Sequence, residues 1–184
     1  MKHNIVLALI YGVIFAACSS DKTQDQNLNL DGELYVKGAT ASSESKLDLL
    51  FTADDIEMLK TSETIEVPNE GKCIAEIVFN NLKADNLLKR LGHYTTVFFF
   101  LDEMLLFDPP IKVFSPISSM SANDLQISIF DDKFFLVEFY QTWDWLPDSE
   151  REALLKNQSE NSEKRKKQVD VFFKYLDKQG KFAK

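Results

Sequence analysis

Residues 125–140 have the sequence LQISIFDDKFFLVEFY, and this stretch decides the fold. Apolar and polar side chains alternate from Leu125 to Ile129, and large apolar residues return from Phe134 to Tyr140. Alternation with a period of two is typical of a β-strand that has one face on the core. The pair Asp131-Asp132 between the two runs favours a tight turn. We therefore predict a β-hairpin whose first strand is half-buried.

Further strands are predicted on both sides of this hairpin. Residues 94–101, YTTVFFFL, are apolar on both faces of an extended chain, which is typical of a central strand. Residues 47–51, LDLLF, favour another strand. Thr64–Val67 and Ile74–Phe79 flank the turn residues Asn69-Glu70-Gly71 and predict a second hairpin. After Pro109-Pro110, residues 111–114 are expected to pair at a sheet edge.

The last forty residues predict a long helix. Ser149 and Glu152 have the spacing of a capping box, and Gly180 is placed to end the helix. Val169, Phe172 and Leu176 recur at helical spacing, which predicts a face packed on the sheet. The preceding run, 157–168, is almost wholly polar and predicts a solvated or broken middle. The predicted class is α+β: a mostly antiparallel sheet packed by short helices and a long C-terminal helix.

The N-terminus has the pattern of an export signal. Lys2 precedes an apolar run from Ile5 to Ala17, which is too short for a membrane span, and the small residues Ala16-Ala17 precede Cys18. This arrangement resembles the lipobox of bacterial lipoproteins. The resemblance implies cleavage after residue 17, a diacylglycerol on the Cys18 thiol, and anchorage of the chain in a membrane. Ser19 after the cysteine implies transfer to the outer membrane of the cell envelope.

The composition after Cys18 changes twice. Residues 18–46 are polar and poor in large apolar side chains, so we expect a lipidated flexible tether there, containing at most a short edge strand at 34–36. Residues 47–184 have enough apolar content for a single α+β domain. The domain organisation predicted is thus a signal peptide (1–17), a tether (18–46) and one folded domain (47–184).

Charge and cysteine content exclude several classes of function. The formal net charge is −8, so the chain repels nucleic-acid backbones, and we predict no nucleic-acid partner. Membrane contact is expected through the N-terminal lipid. There are two cysteines; with Cys18 lipidated, Cys73 has no disulfide partner in the chain, and we interpret it as a small core residue.

The residues that could support catalysis are few. Asp54-Asp55 is an acidic pair, but adjacent side chains point apart, and acids favour the first turn of a helix. His93 is the only histidine outside the signal, so a zinc site or a catalytic triad lacks partners. Glycine-rich phosphate loops are absent. We therefore predict a protein that is not an enzyme and has no cofactor and no metal.

An aromatic cluster is the best candidate for ligand binding. Tyr140, Trp143, Asp144 and Trp145 combine flat rings with a carboxylate, which is the chemistry that a sugar ring requires. The competing interpretation is that these side chains pack the helix against the sheet edge. A glycan-binding module is accordingly the alternative function, and burial of both tryptophans would argue against it.

Three short segments carry a second resemblance: Leu50–Ile56 (LFTADDI), Glu76–Phe79 (EIVF) and Ser118–Leu125 (SSMSANDL). They resemble small envelope lipoproteins of Gram-negative gut anaerobes, a group to which no reaction is assigned. The resemblance implies the α+β fold and no catalytic residue. The function predicted from the sequence is that of a membrane-anchored binding or scaffolding module of the envelope, with another envelope protein or a glycan as its partner.

Overall fold

The computed structural model describes residues 30–61, 66–67, 71–80, 86–87, 89–113, 124–130, 133–139 and 143–183. Within these residues the chain forms ten strands, one short 3₁₀ turn (Ala53–Asp55), and a 31-residue helix, Asp148–Lys178, which we call the long helix. The strands are β1 (Leu34–Thr40), β2 (Ser43–Thr52), β3 (Ile56–Thr61), β4 (Glu66–Val67), β5 (Gly71–Phe79), β6 (Thr96–Leu101), β7 (Met104–Leu105), β8 (Ile111–Val113), β9 (Leu125–Phe130) and β10 (Lys133–Phe139). Residues 86–87 and 89–91 are helical as well.

All ten strands belong to one sheet. Its main path runs β2-β1-β6-β8-β9-β10-β5-β3, with β4 paired to β5 and β7 paired to β6. The pair β8–β9 is parallel, whereas the other described pairs are antiparallel, so the sheet is mixed. With the long helix packed on it, this sheet confirms the predicted α+β class.

The sheet is curled, and Phe51 lies near the centre of the core. The ring of Phe51 is 4.9 Å from that of Phe79, 6.0 Å from that of Phe99 and 5.9 Å from that of Phe134, each in an edge-on arrangement. Phe51 is on β2, which is not adjacent in the sheet to β5, β6 or β10, so the sheet bends to bring these rings together. The two ends of the path, β2 and β3, are joined by the three-residue turn Ala53–Asp55.

The C-terminal half of the long helix closes this core. Phe172 is buried and its ring lies 5.5 Å from that of Phe99 and 6.0 Å from that of Phe107. The backbone N–H of Leu34 donates a hydrogen bond to the hydroxyl of the buried Tyr175 at 3.2 Å. The helix therefore fixes β1 to the core by a direct contact between chain segments 141 residues apart.

The folded domain begins upstream of the predicted boundary. β1 lies between β2 and β6, with Leu34 and Val36 buried, so the expectation of a flexible tether as far as Lys46 is wrong for residues 34–46. Polar residues dominate the composition of this region, so the alternation of buried and half-buried residues in β1 was not predicted. Gly38 is also required there, because a Cβ at this position would meet the ring of Tyr94 at 2.6 Å. Residues 1–29, which include the predicted signal and Cys18, lie outside the described residues.

The two predicted hairpins are confirmed by strand pairing. Phe134 pairs with Ile129, and Leu136 pairs with Ile127, in the β9–β10 hairpin. Glu66 pairs with Lys72 between β4 and β5. The prediction of a half-buried β9 is wrong: Gln126 and Ser128 are 3% and 5% exposed, so both faces of the strand are covered. The edge position predicted for residues 111–113 is wrong too, because β8 lies between β6 and β9.

The long helix differs from its predicted form at two places. It begins after Pro147, with no side-chain cap, so the capping box of Ser149 and Glu152 is wrong. Its polar middle is neither broken nor wholly solvated, since the helix is continuous and Arg165 is 4% exposed. The predicted end is confirmed: helical residues stop at Lys178, and Gly180 has a φ of +70°. In the described part of the chain no helix combines the length and apolarity that membrane crossing requires.

Candidate functional site

One stripe of the long helix changes from apolar to amide side chains along its length. In the C-terminal half, Val169, Phe172 and Leu176 are buried in the core. Towards the N-terminus the same stripe continues with Arg165 and then Asn161, because positions three and four apart share a face of a helix. Side chains that can hydrogen-bond thus replace apolar ones where the helix extends past the core.

A cleft of about 390 Å³ lies along the amide part of this stripe. We call it the amide cleft. Its helical wall is formed by Leu154, Asn157, Gln158 and Asn161, which follow the spacing i, i+3, i+4, i+7. The remaining lining residues belong to the sheet and its connections, namely Pro109, Pro110, Lys112, Asp124, Leu125, Gln126 and Trp143. The volume is within the range of sites for small molecules.

Trp143 supplies the aromatic surface of the amide cleft. Its backbone has a φ of +49°, a left-handed conformation that a bulky residue seldom adopts. A hydrogen bond of 2.9 Å from the backbone N–H of Leu146 to the carbonyl of Trp143 closes a turn that leads into the long helix. Such a conformation is retained only where the surroundings enforce it, and it is frequent in ligand-binding segments. The turn places the half-buried indole at the wall of the cleft.

Hydrogen bonds from the long helix hold the part of the cleft wall that Asp124 and Pro109 form. Arg165 Nε donates to Asp124 Oδ1 at 2.7 Å, and a guanidinium NH₂ nitrogen donates to Asp124 Oδ2 at 2.8 Å. Another guanidinium nitrogen donates to the carbonyl of Pro109 at 2.6 Å. Gln168 Nε2 donates to the carbonyl of Asp108 at 3.2 Å. Both Asp124 and Pro109 are therefore fixed to the helix, so this part of the cleft is preformed.

The electrostatic character of the amide cleft is close to neutral. The carboxylate of Asp124 is neutralised by Arg165, and the helical wall carries three uncharged amides. Lys112 adds one ammonium group. An amide group both donates and accepts hydrogen bonds, as a hydroxyl does. The arrangement is suited to an uncharged polar ligand with a flat apolar face.

The structure separates the residues that the sequence had grouped. Trp143 lines the amide cleft, whereas Trp145 is 74% exposed and is not among the lining residues. The Asp144 side chain is 78% exposed, and its carboxylate lies 3.9 Å from a guanidinium nitrogen of Arg151. Tyr140 and Cys18 lie outside the described residues. Of the predicted aromatic cluster, Trp143 alone is thus placed at a concave site within the described part.

The residues that line the cleft with Trp143 were not predicted from the sequence. Asn157 and Asn161 belong to the run predicted to be solvated and are exposed, and Gln158 between them is half-buried. Gln126 was expected on the polar face of a half-buried strand, whereas it is buried. A signal was present in the helical spacing, because the three amides continue the apolar stripe of Val169 and Phe172 towards the N-terminus. Their position in the same cleft as Trp143 depends on the turn at residues 143–146, which no sequence pattern predicted.

A second concave region lies between the long helix and strands β3, β5 and β10. This charged groove has a volume of about 710 Å³, and its lining includes Lys72, Cys73, Glu138, Glu163 and Lys166. Ser162 donates a hydrogen bond to Glu138 Oε1 at 2.8 Å across it. Burial, reinforced by the nearby Glu76 carboxylate, raises the pKa of the Cys73 thiol, which lowers its thiolate fraction and its reactivity.

The acidic pair and the histidine have structural or surface positions. Asp55 Oδ2 accepts a hydrogen bond from the backbone N–H of Thr52 at 2.8 Å, as in a capping box. The adjacent Asp54 is exposed, as is His93. Among the residues that the structure describes, no group of three metal-ligating side chains converges.

Comparisons with known proteins do not assign the chain to a family. No family model matches it, and neither the curated proteins nor the solved structures contain a match.

Proposed function

We propose that this protein is a non-enzymatic binding module that a lipid on Cys18 anchors to a bacterial cell envelope, at the outer membrane. The anchor is supported by the sequence Phe15-Ala16-Ala17-Cys18 after an apolar run. The binding role is supported by the amide cleft. It combines the indole of Trp143, whose backbone is left-handed, with amides on one stripe of the long helix. The cleft is the observation that carries the proposal.

The anchor and the domain are separated by a suitable length of chain. The first strand begins at Leu34. We propose residues 19–29 as the tether between Cys18 and the domain; a flexible chain of this length has a root-mean-square span of about 18 Å. This distance keeps the domain close to the bilayer while leaving room for a partner. A doubly acylated cysteine holds a protein on a membrane, because each buried CH₂ contributes about 0.8 kcal/mol.

The chemistry of the described side chains supports binding over catalysis. The Cys73 thiol is made less reactive by burial. The carboxylates of Asp55 and Asp124 are engaged in hydrogen bonds that stabilise a turn and a helix contact. Carboxylates that are held in this way stabilise the fold. A hydrolytic mechanism would need an acid and a base that converge on one point.

A protein partner is the second candidate, and the edge strand β2 favours it. β2 pairs with β1 on one side and, in the described part of the chain, with no strand on the other. Leu49, on this strand, is 51% exposed. An edge of this kind accepts an extended segment of another protein by strand addition.

Labelling with an alkyne fatty acid in a bacterial host tests the anchor. The wild-type chain should incorporate the label and partition into detergent, whereas Cys18→Ser should do neither. Cys73→Ser is the matched control, because it removes the other cysteine and should leave the label unchanged. Labelled Cys18→Ser protein would contradict the anchoring proposal.

Photocrosslinking in whole envelopes tests the binding role. A photoreactive amino acid is placed at Asn161 in the amide cleft, at Leu49 on the β2 edge, and at Ser159 as the control. Ser159 lies on the same helix, is exposed and is not among the cleft residues. A specific adduct at Asn161 supports the cleft, and one at Leu49 supports the protein partner. Equal adducts at all three positions would contradict a defined binding surface.

A further inference from the structure

We infer that the ligand of the amide cleft is a saccharide, whose ring stacks on the indole of Trp143 while its hydroxyls bond to the amides of the long helix. This inference rests on the proposed function, since it names the ligand class of a binding module. It also differs from the interpretation based on sequence, because it assigns the site to Trp143 with Asn157, Gln158 and Asn161, and excludes Trp145 and Asp144.

The stripe of the long helix carries hydrogen-bonding groups along the cleft. Leu154, at the outer end of the cleft, is half-buried, and the buried core residue Val169 lies at the inner end of the same stripe. Between them the stripe carries Asn157, Gln158 and Asn161. Asn157 and Asn161 are exposed and Gln158 is half-buried, so these amides lie at the open side of the cleft, where a ligand can reach them. Hydrogen-bonding side chains along one wall of a concave site are suited to a polar ligand.

The groups that line the cleft match those of a sugar ring. A pyranose ring presents C–H groups on one face and hydroxyls around its rim. An indole face binds the C–H groups, and aromatic residues of this type are common where one side is apolar and the other polar. Each rim hydroxyl both donates and accepts a hydrogen bond, and so does each carboxamide, so the pairing leaves few unsatisfied groups.

The charge of the cleft favours an uncharged ligand. Asp124 is already held by two hydrogen bonds from Arg165, so the carboxylate adds no free negative charge to the cleft. Four neutral amides, three on the helix and Gln126 on β9, and one lysine form the remaining polar lining. The charged groove, by contrast, contains Glu138, Glu163 and Lys166. A neutral ligand therefore fits the amide cleft better than the charged groove.

The walls of the cleft are preorganised. Arg165 fixes Asp124 and the Pro109 carbonyl, and the turn at Trp143 is closed by its bond to Leu146. A site whose walls are held in place loses little conformational entropy when the ligand binds. The left-handed backbone of Trp143 is the kind of strain that a binding segment retains.

Tryptophan fluorescence of the detergent-solubilised full-length protein tests the inference directly. The chain has two tryptophans, so Trp145→Phe leaves Trp143 as the single reporter, and Trp143→Phe leaves Trp145. The probes are glucose, galactose, mannose, N-acetylglucosamine and their disaccharides, with glycerol as an acyclic polyol. At least one sugar should give a saturable emission change in Trp145→Phe. The same sugar should give none in Trp143→Phe, and glycerol should give none in either variant.

Substitutions in the cleft then locate the binding. Asn161→Ala should weaken the affinity for that sugar at least about tenfold, equivalent to about 1.4 kcal/mol. Ser159→Ala, on the same helix and outside the cleft, should leave it unchanged. Circular dichroism confirms that both variants are folded. The inference is overturned if no sugar changes the emission of Trp143, or if Asn161→Ala binds as the wild type does. Those outcomes leave lipid labelling of Cys18 unaffected, so failure of the inference and failure of the proposed anchor are distinguishable.

Discussion

The buried guanidinium of Arg165, on the long helix, forms a two-point ion pair with the half-buried carboxylate of Asp124 at the start of β9. The two nitrogen–oxygen distances are 2.7 and 2.8 Å, and the Arg165 side chain is 5% exposed. The same guanidinium also donates to the Pro109 carbonyl and to Gln168 Oε1. One side chain of a polar run therefore connects the helix to two separate parts of the sheet and sets the wall of the amide cleft.

Removal of one member of this pair should be strongly destabilising. Asp124→Ala leaves a buried guanidinium without its counter-charge, which costs about 3–5 kcal/mol. Lys164→Met is the matched control: its ammonium lies 3.6 Å from the Asp108 carboxylate, but both side chains are more than half exposed, so a change below about 1 kcal/mol is expected. Urea unfolding measures both. A loss for Asp124→Ala as small as that for Lys164→Met would contradict the role assigned to the pair.

A double variant that replaces both partners distinguishes the net contribution of the ion pair to stability from the destabilisation caused by removing one partner. Replacing a buried ion pair by apolar residues of similar volume is often close to neutral for stability. Asp124→Leu combined with Arg165→Met should therefore recover most of the stability that Asp124→Ala loses. Binding at the cleft should not be recovered, because the Pro109 carbonyl loses its donor.

Gly38 should not tolerate a methyl group. A Cβ at this position would meet two ring carbons of Tyr94, at 2.6 and 2.8 Å, in the interior of the sheet. Overpacking of this kind costs about 1–3 kcal/mol. Gly92→Ala is the control, since nothing lies within 4 Å of the added atom. Thermal unfolding should show a lower midpoint for Gly38→Ala and little change for Gly92→Ala. Equal midpoints would mean that Tyr94 can move away from β1 at no cost.

The sequence predicted the parts of the fold that depend on local periodicity. The β9–β10 hairpin, the β4–β5 hairpin and the end of the long helix near Gly180 all follow from spacing and turn residues over a few positions. The position of a strand within the sheet does not follow from its own residues. β8 has three residues and is central because it pairs with β6 and β9, which are distant in sequence.

The candidate site was predicted only in part for the same reason. Trp143 was identified because an aromatic side chain is recognisable in any context. Asn157 and Asn161 were missed because an amide on a polar helix has the same local sequence whether it faces solvent or a cleft. The burial of Arg165 depends on Asp124 and Pro109, 41 and 56 residues away, so no local pattern reports it.

The stability of the domain should fall at alkaline pH, in part through Tyr175. Burial raises the pKa of its hydroxyl above the ordinary value of 10.0, with a smaller contribution from nearby carboxylates. Above about pH 10 the unfolded chain releases this proton while the folded chain retains it, so the free energy of unfolding falls as pH rises. Below that pH the Tyr175 hydroxyl is protonated in both the folded and the unfolded chain, so its full contribution to stability is present.

Tyr175→Phe provides the test. The variant should lose about 1–3 kcal/mol at neutral pH, because the N–H of Leu34 loses its acceptor, but its stability should fall less steeply above about pH 10. Cys73→Ala is the control for the thiol, whose raised pKa acts from about pH 9 upwards. Guanidinium unfolding across this pH range gives the slopes. Identical slopes for the wild type and Tyr175→Phe would remove Tyr175 from the explanation.

The C-terminal residues should stabilise the β3 edge of the sheet. The Leu59 N–H donates to the Lys181 carbonyl at 2.7 Å, and the Ala183 N–H donates to the Leu59 carbonyl at 2.9 Å. The Lys181 ammonium donates to the carbonyls of Ala53 and Ile56, at 2.6 and 2.8 Å. The chain end therefore occupies backbone groups that an edge strand would otherwise leave open.

Lys181→Met should cost about 1.5–3 kcal/mol, because hydrogen bonds that involve a charged group are stronger than neutral ones. It should also speed hydrogen exchange at Leu59, since loss of the ammonium contacts loosens the chain end. Lys178→Met is the control: its ammonium lies 2.5 Å from the Asp31 carboxylate in an exposed pair, for which a change below about 1 kcal/mol is expected. Exchange at Leu59 that is equally slow in both variants would show that β3 is held by its pairing with β5 and not by the chain end.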